Sequence, residues 1–461
     1  MERNLVLDVS ENPKRISHWL LFATQHILAM FVACITVPLL TGLPVDATIV
    51  AAGIGTLCYI FTTKRKSPVF LSSSFAYIAP IISALALGNS VDKNFLAVIV
   101  GMVVVGLIYV SVALIIRAVG TAWLDKILPT LVIGPVIMVI GLSLSGSAIN
   151  NLSNTSVSFD NYSLVQIACG LTAMLATALS AVYGKKTIKL IPFIIGMLSG
   201  YLLAVIFTAI GFASKNDALK VINYQPLIDN FKIVTFGSFI KAPDFLFLKN
   251  MDSFRWSQLP EILVLFIPVA FVTICEHIGD HKNLSNIIGK DLLKDPGLSR
   301  TLIGDGLATS ISGIICGSAN TTYGENVAVI GVSRIASVGV IILASLITVL
   351  IGFLRPLMCV VETIPACVTG GVSLILYGFI AASGVKMLIE EKIDFSNTKN
   401  IFVASVILVS GIGGLQIIVG PVKVTSVAVA MILGIILNLI LKNNPNESEN
   451  NKKMYINSEK K

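Results

Sequence analysis

Long apolar runs separated by short polar connections recur along the whole chain. A helix needs about 20 apolar residues to cross a hydrocarbon core of roughly 30 Å, and the run at 95–116 is one clear example. About fourteen such segments can be counted, which predicts an all-α polytopic membrane protein and not a membrane β-barrel of short alternating strands. The segments are 17–41, 48–63, 69–87, 95–117, 128–148, 163–183, 190–213, 259–281, 301–316, 323–335, 337–357, 364–389, 399–418 and 424–441.

Composition supports this class and excludes others. Hydrophobic residues make up 55% of the chain, charged residues 13%, and mean hydropathy is +0.87, whereas soluble domains carry about 25% charged residues. The net charge of +8 comes from short basic clusters between apolar runs, so we expect the lipid bilayer, and not nucleic acid, as the partner. The seven cysteines form no CxxC pair, so no metal, disulfide or cofactor is expected.

The basic clusters predict the orientation. Lys14 and Arg15, the KRK run at 64–66 and the KK pair at 185–186 fall on one side, whereas the loops TGLPVDA and NNLSNTSVSFDNY lack Lys and Arg. The positive-inside rule then places both termini in the cytoplasm of a cell-membrane protein, although basic residues in the loop 214–258 oppose it. The first 15 residues do not resemble a cleaved signal peptide, and the polar tail 442–461 is expected to be disordered.

An internal repeat is visible. LPTLVIGPV (128–136) and IPACVTGGV (364–372) match at an offset of 236 residues, and GMLSGYLL (196–203) and AMILGIIL (430–437) match at an offset of 234. Two halves of seven segments follow, and the odd number inverts the second half, as in secondary transporters. Chance similarity between apolar stretches is the alternative.

Two irregular segments occupy corresponding places in the halves. KSPVFLSSSFAYIAP (66–80) and CGSANTTYGENVAV (316–329) contain Ser, Gly, Pro and β-branched residues that suit an extended stretch followed by a short helix. Irregular backbone at membrane depth must be buried in protein or line a cavity. Such segments therefore indicate a solute site near the membrane midplane.

Four acidic residues lie within apolar segments: Glu276, Asp280, Asp305 and Glu325. An ionisable side chain at this depth is costly and by default marks a transport pathway. Glu276 and Asp280 share one helix face at i, i+4, although the stretch to His281 could instead be the polar end of a span. Asp305 could simply fix neighbouring backbone.

For two further residues, an ordinary structural role is the alternative to a functional one. His26 in TQHILAM fits a hydrogen-bonded packing group at least as well as a proton carrier. Phe75 in SSSFAY could be an ordinary core aromatic.

The same stretches resemble the nucleobase/ascorbate transporter family, most closely its bacterial uracil permeases. The similarity runs through TQHILAMFVACITVPLL, SSSFAYIAP, CEHIGDH, GKDLLKDPGLSRTLIGDGLATSISG, NTTYGENVAVIGVSRIASV and GGVSLILYGFIAASG. It implies fourteen segments in two inverted repeats, a homodimer, and short antiparallel strands in segments 3 and 10. The implied divisions are a cytoplasmic N-terminus 1–16, core domain 17–118 and 259–357, gate domain 119–213 and 358–441, extracytoplasmic loop 214–258, and tail 442–461.

The resemblance also implies a substrate site. Glu276, Glu325 with Gly324 and Tyr323, Phe75 and Tyr377 match the positions that bind the base or lie near it. Uracil alternates N–H donors with C=O acceptors, and ionised Glu offers only acceptors, so carboxylates and backbone N–H groups together suit it. Asp280, Glu276 and Glu325 are the expected proton-coupling groups, and the structural or pathway residues are Gln25, His26, Ser74, Asn326 and His281.

The expected function is proton-coupled uracil import by alternating access. Three departures qualify it: Asp280 stands where these permeases often have histidine, and Ala328 and Ser333 replace an expected glycine and threonine. Aspartate at 280 is more like purine transporters, so a xanthine or other purine permease is the alternative, and a nucleobase channel is another. No catalytic motif supports an enzyme.

Overall fold

The computed structural model describes residues 5–87, 93–153, 164–185, 187–244, 254–419 and 422–441. The tail 442–461 lies outside them, so its predicted disorder stays a prediction. The helices are α1 Ile16–Thr41, α2 Val45–Thr62, α3 Ile78–Leu85, α4 Phe95–Val119, α5 Ala122–Ile127, α6 Thr130–Ser143, α7 Ser145–Ser153, α8 Leu164–Tyr183, α9 Thr187–Leu190, α10 Pro192–Ser214, α11 Gln225–Phe231, α12 Leu259–Ile288, α13 Leu298–Ile314, α14 Gly324–Ser333, α15 Val338–Ile351, α16 Arg355–Glu362, α17 Ala366–Glu390, α18 Thr398–Ile412 and α19 Ser426–Ile440. The strands are β1 Leu71–Ser73, β2 Asn320–Thr322, β3 Ile417–Val419 and β4 Val422–Val424.

Every apolar segment expected from the sequence overlaps one of these helices. Within the described ranges, eight helical stretches are long and apolar enough to cross a membrane, and several shorter apolar helices accompany them. The class of helical, multispan membrane protein is therefore confirmed. The count of fourteen crossings stays a prediction.

The chain forms two compact units. The first consists of Met1–Ala118 and Ser145–Leu376, and the second of Val119–Leu144 and Tyr377–Lys461. The first unit holds both irregular segments together with α12. The core and gate boundaries implied by the family resemblance stay a prediction.

The two irregular segments meet through a short sheet in the first unit. β1 pairs with β2 in antiparallel register, with Leu71 opposite Thr322 and Ser73 opposite Asn320. Just beyond β1, the Ser74 N–H donates to the Ala319 carbonyl at 2.9 Å. Because both strands are buried, this pairing satisfies backbone groups that the interior could not hydrate. The expected antiparallel strands are confirmed at these residues.

Glycines at matched positions of the predicted sequence repeat make similar close contacts. A Cβ on Gly134 would lie 3.1 Å from the Gly384 carbonyl oxygen, and a Cβ on Gly370 would lie 2.9 Å from the Ala148 carbonyl oxygen. Gly134 and Gly370 are 236 residues apart, and so are Ala148 and Gly384. Each contact thus joins one residue of each repeat, with the roles exchanged.

The second matched pair behaves in the same way. A Cβ on Gly200 would lie 3.2 Å from Val368, and one on Gly434 would lie 3.4 Å from Val132. Val132 and Val368 are themselves matched between the repeats. Small residues at these four helix positions allow close backbone approach, as in membrane helix packing generally.

Candidate functional site

The paired strands β1 and β2 bring the starts of two helices close together. After β1 the chain makes a single 3₁₀ turn over Phe75–Tyr77 and enters α3, and after β2 it passes Tyr323 and enters α14. The first N–H groups of a helix have no partner within the helix, and they carry partial positive charge. Both irregular segments therefore supply hydrogen-bond donors where the sheet ends.

Three carboxylates gather beside the start of α14. Glu276 lies in the interior of α12, Asp280 lies one turn further on, and Glu325 occupies the first turn of α14. An oxygen of Asp280 is 3.5 Å from where a Cβ on Gly324 would stand. Glu276 and Asp280 lie on one face of α12 at i, i+4, and all three side chains are half-buried. The site is thus rich in acceptors.

Glu276 is not at the end of its helix. The helix that carries it continues to Ile288 and ends at Gly289, whose φ of 71° is left-handed. Leu284 and Ile288, beyond the polar stretch, are buried. Burial of these later apolar residues explains why the helix extends past the predicted end at 281.

Two aromatic rings flank the donors. The centroids of Phe75 and Tyr323 are 6.3 Å apart with the rings tilted by 46°, and both side chains are buried. Within the described part of the chain, the Tyr323 hydroxyl has no hydrogen-bond partner. The rings can cover the face of a planar ligand, while the hydroxyl remains available for a polar contact.

His26 joins the site through Asn326. The His26 Nδ1 lies 2.8 Å from the Asn326 Oδ1, and both side chains are buried. An amide oxygen only accepts, so the imidazole donates from Nδ1. The bond ties α1 to the first turn of α14, which is the packing role weighed for His26.

The neighbouring face of α12 carries a buried polar network. His277 Nδ1 lies 2.7 Å from an oxygen of Asp305, and its Nε2 lies 3.0 Å from the Thr301 hydroxyl. His281 donates from Nδ1 to the His277 carbonyl at 2.8 Å, which leaves Nε2 to accept from the Tyr59 hydroxyl at 2.6 Å. The network connects α12 to α13 and α2.

Sequence reasoning did not find this network. The spacing of His277 and His281 at i, i+4 was its only signal, and the two rings stack with centroids 4.0 Å apart. Asp305 was noticed as an intramembrane acid, but its partner was not. His281, expected as a structural or pathway residue, contacts Tyr59 of α2.

The remaining expected residues are placed as follows. Gln25 is half-buried on α1 and Ser74 is buried after β1. Tyr377 is buried on α17 and is the first residue of the second unit after the boundary within that helix. Their functional roles stay predictions.

The arrangement suits a planar polar molecule. Carboxylate acceptors, helix-start N–H donors and aromatic faces occur together at the junction of the irregular segments. Within the described ranges, no group of three or more His, Cys, Asp and Glu side chains is arranged to hold a metal ion. The chemistry on offer is hydrogen bonding, stacking and proton exchange.

A half-buried polar site at broken segments, inside a bundle of membrane-spanning helices, defines a membrane transport protein. A family model described as "Permease family" matches residues 17–420. The chain belongs to this family, the nucleobase/ascorbate transporter family.

Curated relatives agree with the family assignment. The chain is similar to "Uracil permease" of Bacillus caldolyticus, at 40% identity over 448 residues covering 96% of each chain. It is also similar to "Uracil permease" of Bacillus subtilis (strain 168), at 39% identity over 444 residues covering 95% of this chain and 96% of the relative. Permeases are transporters, so the expectation that the chain is not an enzyme is confirmed.

The fold is also found among solved structures. The chain resembles SLC26A9 ("The overall structure of SLC26A9") with a TM-score of 0.64 and 13% identity. The match covers 92% of this chain and 65% of that one. At this identity the similarity concerns the fold alone.

Proposed function

We propose that this protein imports uracil together with protons, by alternating access. The observation that carries the proposal is the grouping of Glu276, Asp280 and Glu325 beside Gly324, where the two irregular segments meet. The relatives named as uracil permeases support the choice of substrate.

The site chemistry fits the edge of uracil. Its imide N–H groups would donate to Glu276 and Glu325, and its carbonyls would accept from backbone N–H groups at Phe75 and Gly324. Phe75 and Tyr323 would cover the ring, with base–aromatic stacking worth about 1–3 kcal/mol. Uracil is neutral, so the carboxylates act as acceptors and not as ion-pair partners.

Proton coupling follows from three acids in one site. Like charges repel strongly where water is scarce, and each charge adds to the cost of moving the site within the membrane. Binding of a proton by one of the three carboxylates removes part of both costs. Asp280 is the proposed coupling group because it lies against Gly324 and leaves the two glutamates for the base.

The exchanged glycine contacts support inverted repeats. Gly134 of the first proposed repeat packs near Gly384 of the second, and Gly370 of the second packs near Ala148 of the first. A pseudo-two-fold relation between the halves requires such a reciprocal pair of contacts. A transporter built from two halves related in this way can alternate between an inward-open and an outward-open conformation. The proposed moving core is 17–118 with 259–357, the gate is 119–213 with 358–441, and the functional unit is a homodimer.

The test is uptake of labelled uracil by a bacterial strain that lacks its own uracil permease. We expect uptake that rises at acidic external pH and is collapsed by a protonophore. Glu325→Ala should abolish uptake without reducing the amount of protein in the membrane. Glu390→Ala is the matched control because this carboxylate at the end of α17 is exposed and forms a surface ion pair with Lys386. Retained uptake by Glu325→Ala would overturn the site assignment.

Asp280 favours purines as a second candidate substrate class. Asp280 at the site is the feature that more resembles purine transporters. Excess unlabelled xanthine separates the classes: it should leave uracil uptake unchanged, and strong inhibition would favour a purine permease. Uptake that only equilibrates uracil and ignores a protonophore would instead indicate a channel.

A further inference from the structure

We infer that the N-terminal segment Leu5–Asn12, here called the N-terminal strap, positions the two helices that carry the site carboxylates. The strap precedes α1 and belongs to the first unit. It contacts the segment that follows α14 and the residue that follows the end of α12. The inference rests on the proposed function for its transport readout, but its structural readout is independent of it.

The strap has the pattern of a short strand. In LVLDVS, the apolar residues Leu5, Leu7 and Val9 alternate with Val6, Asp8 and Ser10. Val9 is 7% exposed within the hydrophobic core, and Leu5 and Leu7 pack against the same cluster. Val6, on the other side, is 63% exposed. This alternation is the period of an extended segment with one buried face.

Backbone hydrogen bonds join the strap to the connection between α14 and α15. The Val6 N–H donates to the Arg334 carbonyl at 2.8 Å, and the Ala336 N–H donates to the Leu7 carbonyl at 2.9 Å. Leu7 and Ile335 form a parallel bridge. The strap thus holds the turn at which α14 ends.

That turn is strained. Arg334 caps α14 with a φ of 58°, a left-handed conformation that a residue with a Cβ adopts only when its surroundings hold it. The bond from Val6 to the Arg334 carbonyl is one such restraint. Glu325 lies nine residues before Arg334 on the same short helix, about 14 Å along its axis.

The strap is attached to α12 as well. A carboxylate oxygen of Asp8 lies 2.6 Å from the Lys290 Nζ, and Lys290 follows Gly289, the residue that ends α12. Glu276 and Asp280 lie on that helix. One short segment therefore connects the ends of both helices whose carboxylates form the site, and it sets their relative position.

The ion pair and the backbone bond can be broken separately. Asp8→Lys places two like charges together, and Asp8→Lys with Lys290→Asp restores the pair in reverse. Val6→Pro removes the N–H that bonds to Arg334 while changing an exposed side chain. Asp217→Asn is the control, because Asp217 and Lys220 form an ion pair of the same 2.6 Å length away from the strap.

Two readouts are needed. Hydrogen–deuterium exchange of the purified full-length protein should be faster in residues 324–333 for Asp8→Lys and Val6→Pro, unchanged in 398–412, and restored in the reversed pair. For uracil uptake, KM should rise by about two- to fivefold, as expected for one exposed ion pair, with the maximal rate per molecule unchanged. Asp217→Asn should alter neither readout.

Each outcome decides the inference. Unchanged exchange in 324–333 for both variants would overturn it. Faster exchange with an unchanged KM would also overturn it, because the strap would then stabilise α14 without positioning the site. If the wild-type chain takes up no uracil, the proposed function fails, whereas unchanged exchange in 324–333 would still overturn the inference about the strap.

Discussion

The buried pair of His277 and Asp305 offers a quantitative test of how α12 is held. Both side chains are fully buried, and their atoms are 2.7 Å apart. Replacing one member leaves a buried polar group without its partner, which costs about 1–3 kcal/mol for a neutral pair and about 3–5 kcal/mol for an ionised one. Asp305→Leu and His277→Phe should therefore each lower stability by about that amount.

The double variant should behave differently. In the double variant neither residue of the pair is a polar side chain that has lost its partner, and replacing a buried ion pair by apolar side chains of similar volume is often neutral or stabilising by about 1–4 kcal/mol. The Thr301 hydroxyl keeps a donor bond to the Leu298 carbonyl at 3.0 Å when the imidazole is removed. We expect the double variant to be clearly more stable than either single variant, with a coupling of about 3 kcal/mol or more.

The assay must suit a large membrane protein. Unfolding of such proteins is commonly irreversible, so operational stability is a rate. The half-life of monodisperse protein in detergent at one elevated temperature, measured by size exclusion, ranks the four proteins. An Asp305→Leu variant as long-lived as wild type, or a double variant as short-lived as the weaker single variant, would refute the reasoning.

Further predictions follow from other contacts. Gly370→Ala should shorten the same half-life, because overpacking against backbone costs about 1–3 kcal/mol, whereas Gly146→Ala, with open space around it, should not. Tyr59→Phe removes the hydroxyl that His281 accepts from and should cost about 1–3 kcal/mol, measured in the same way. The hydrogen bond from Lys290 holds the pKa of Asp8 below its usual 3.8. The stability from this ion pair is then fully present above pH 3.8 and is lost only as pH falls through the lower pKa of the folded state. Asp8→Asn should therefore change exchange rates, relative to wild type at the same pH, by the same factor at pH 6 and pH 8.

Much of the fold follows from local pattern. The long apolar runs locate the helices, because a helix that crosses a membrane needs a long stretch of apolar side chains. Such stretches are visible directly in the sequence. The extended stretches before Phe75 and Tyr323 were also readable, since Ser, Thr and Pro disfavour helix there. The end of α12 was wrong by several residues, because Lys282 and Asn283 lower local hydropathy while buried Leu284 and Ile288 continue the helix.

What was missed depends on distant partners. His277 and Asp305 are 28 residues apart, and Asp8 and Lys290 are 282 apart, so no window along the chain shows either pair. The sequence assigns the strap only to a cytoplasmic N-terminus, because its alternation covers just six residues. Family resemblance supplied the candidate site residues, whereas the placement of Asp280 beside Gly324 required the structure.

The most direct test of the central claim uses purified protein in liposomes. Labelled uracil is supplied outside, an inward proton gradient is imposed, and accumulation inside is measured with and without a protonophore, for wild type and for Glu276→Gln and Glu325→Gln. The account predicts accumulation above the external concentration that requires the gradient and is lost in both variants. Accumulation without a gradient requirement would contradict proton coupling, and full activity of either variant would contradict the site.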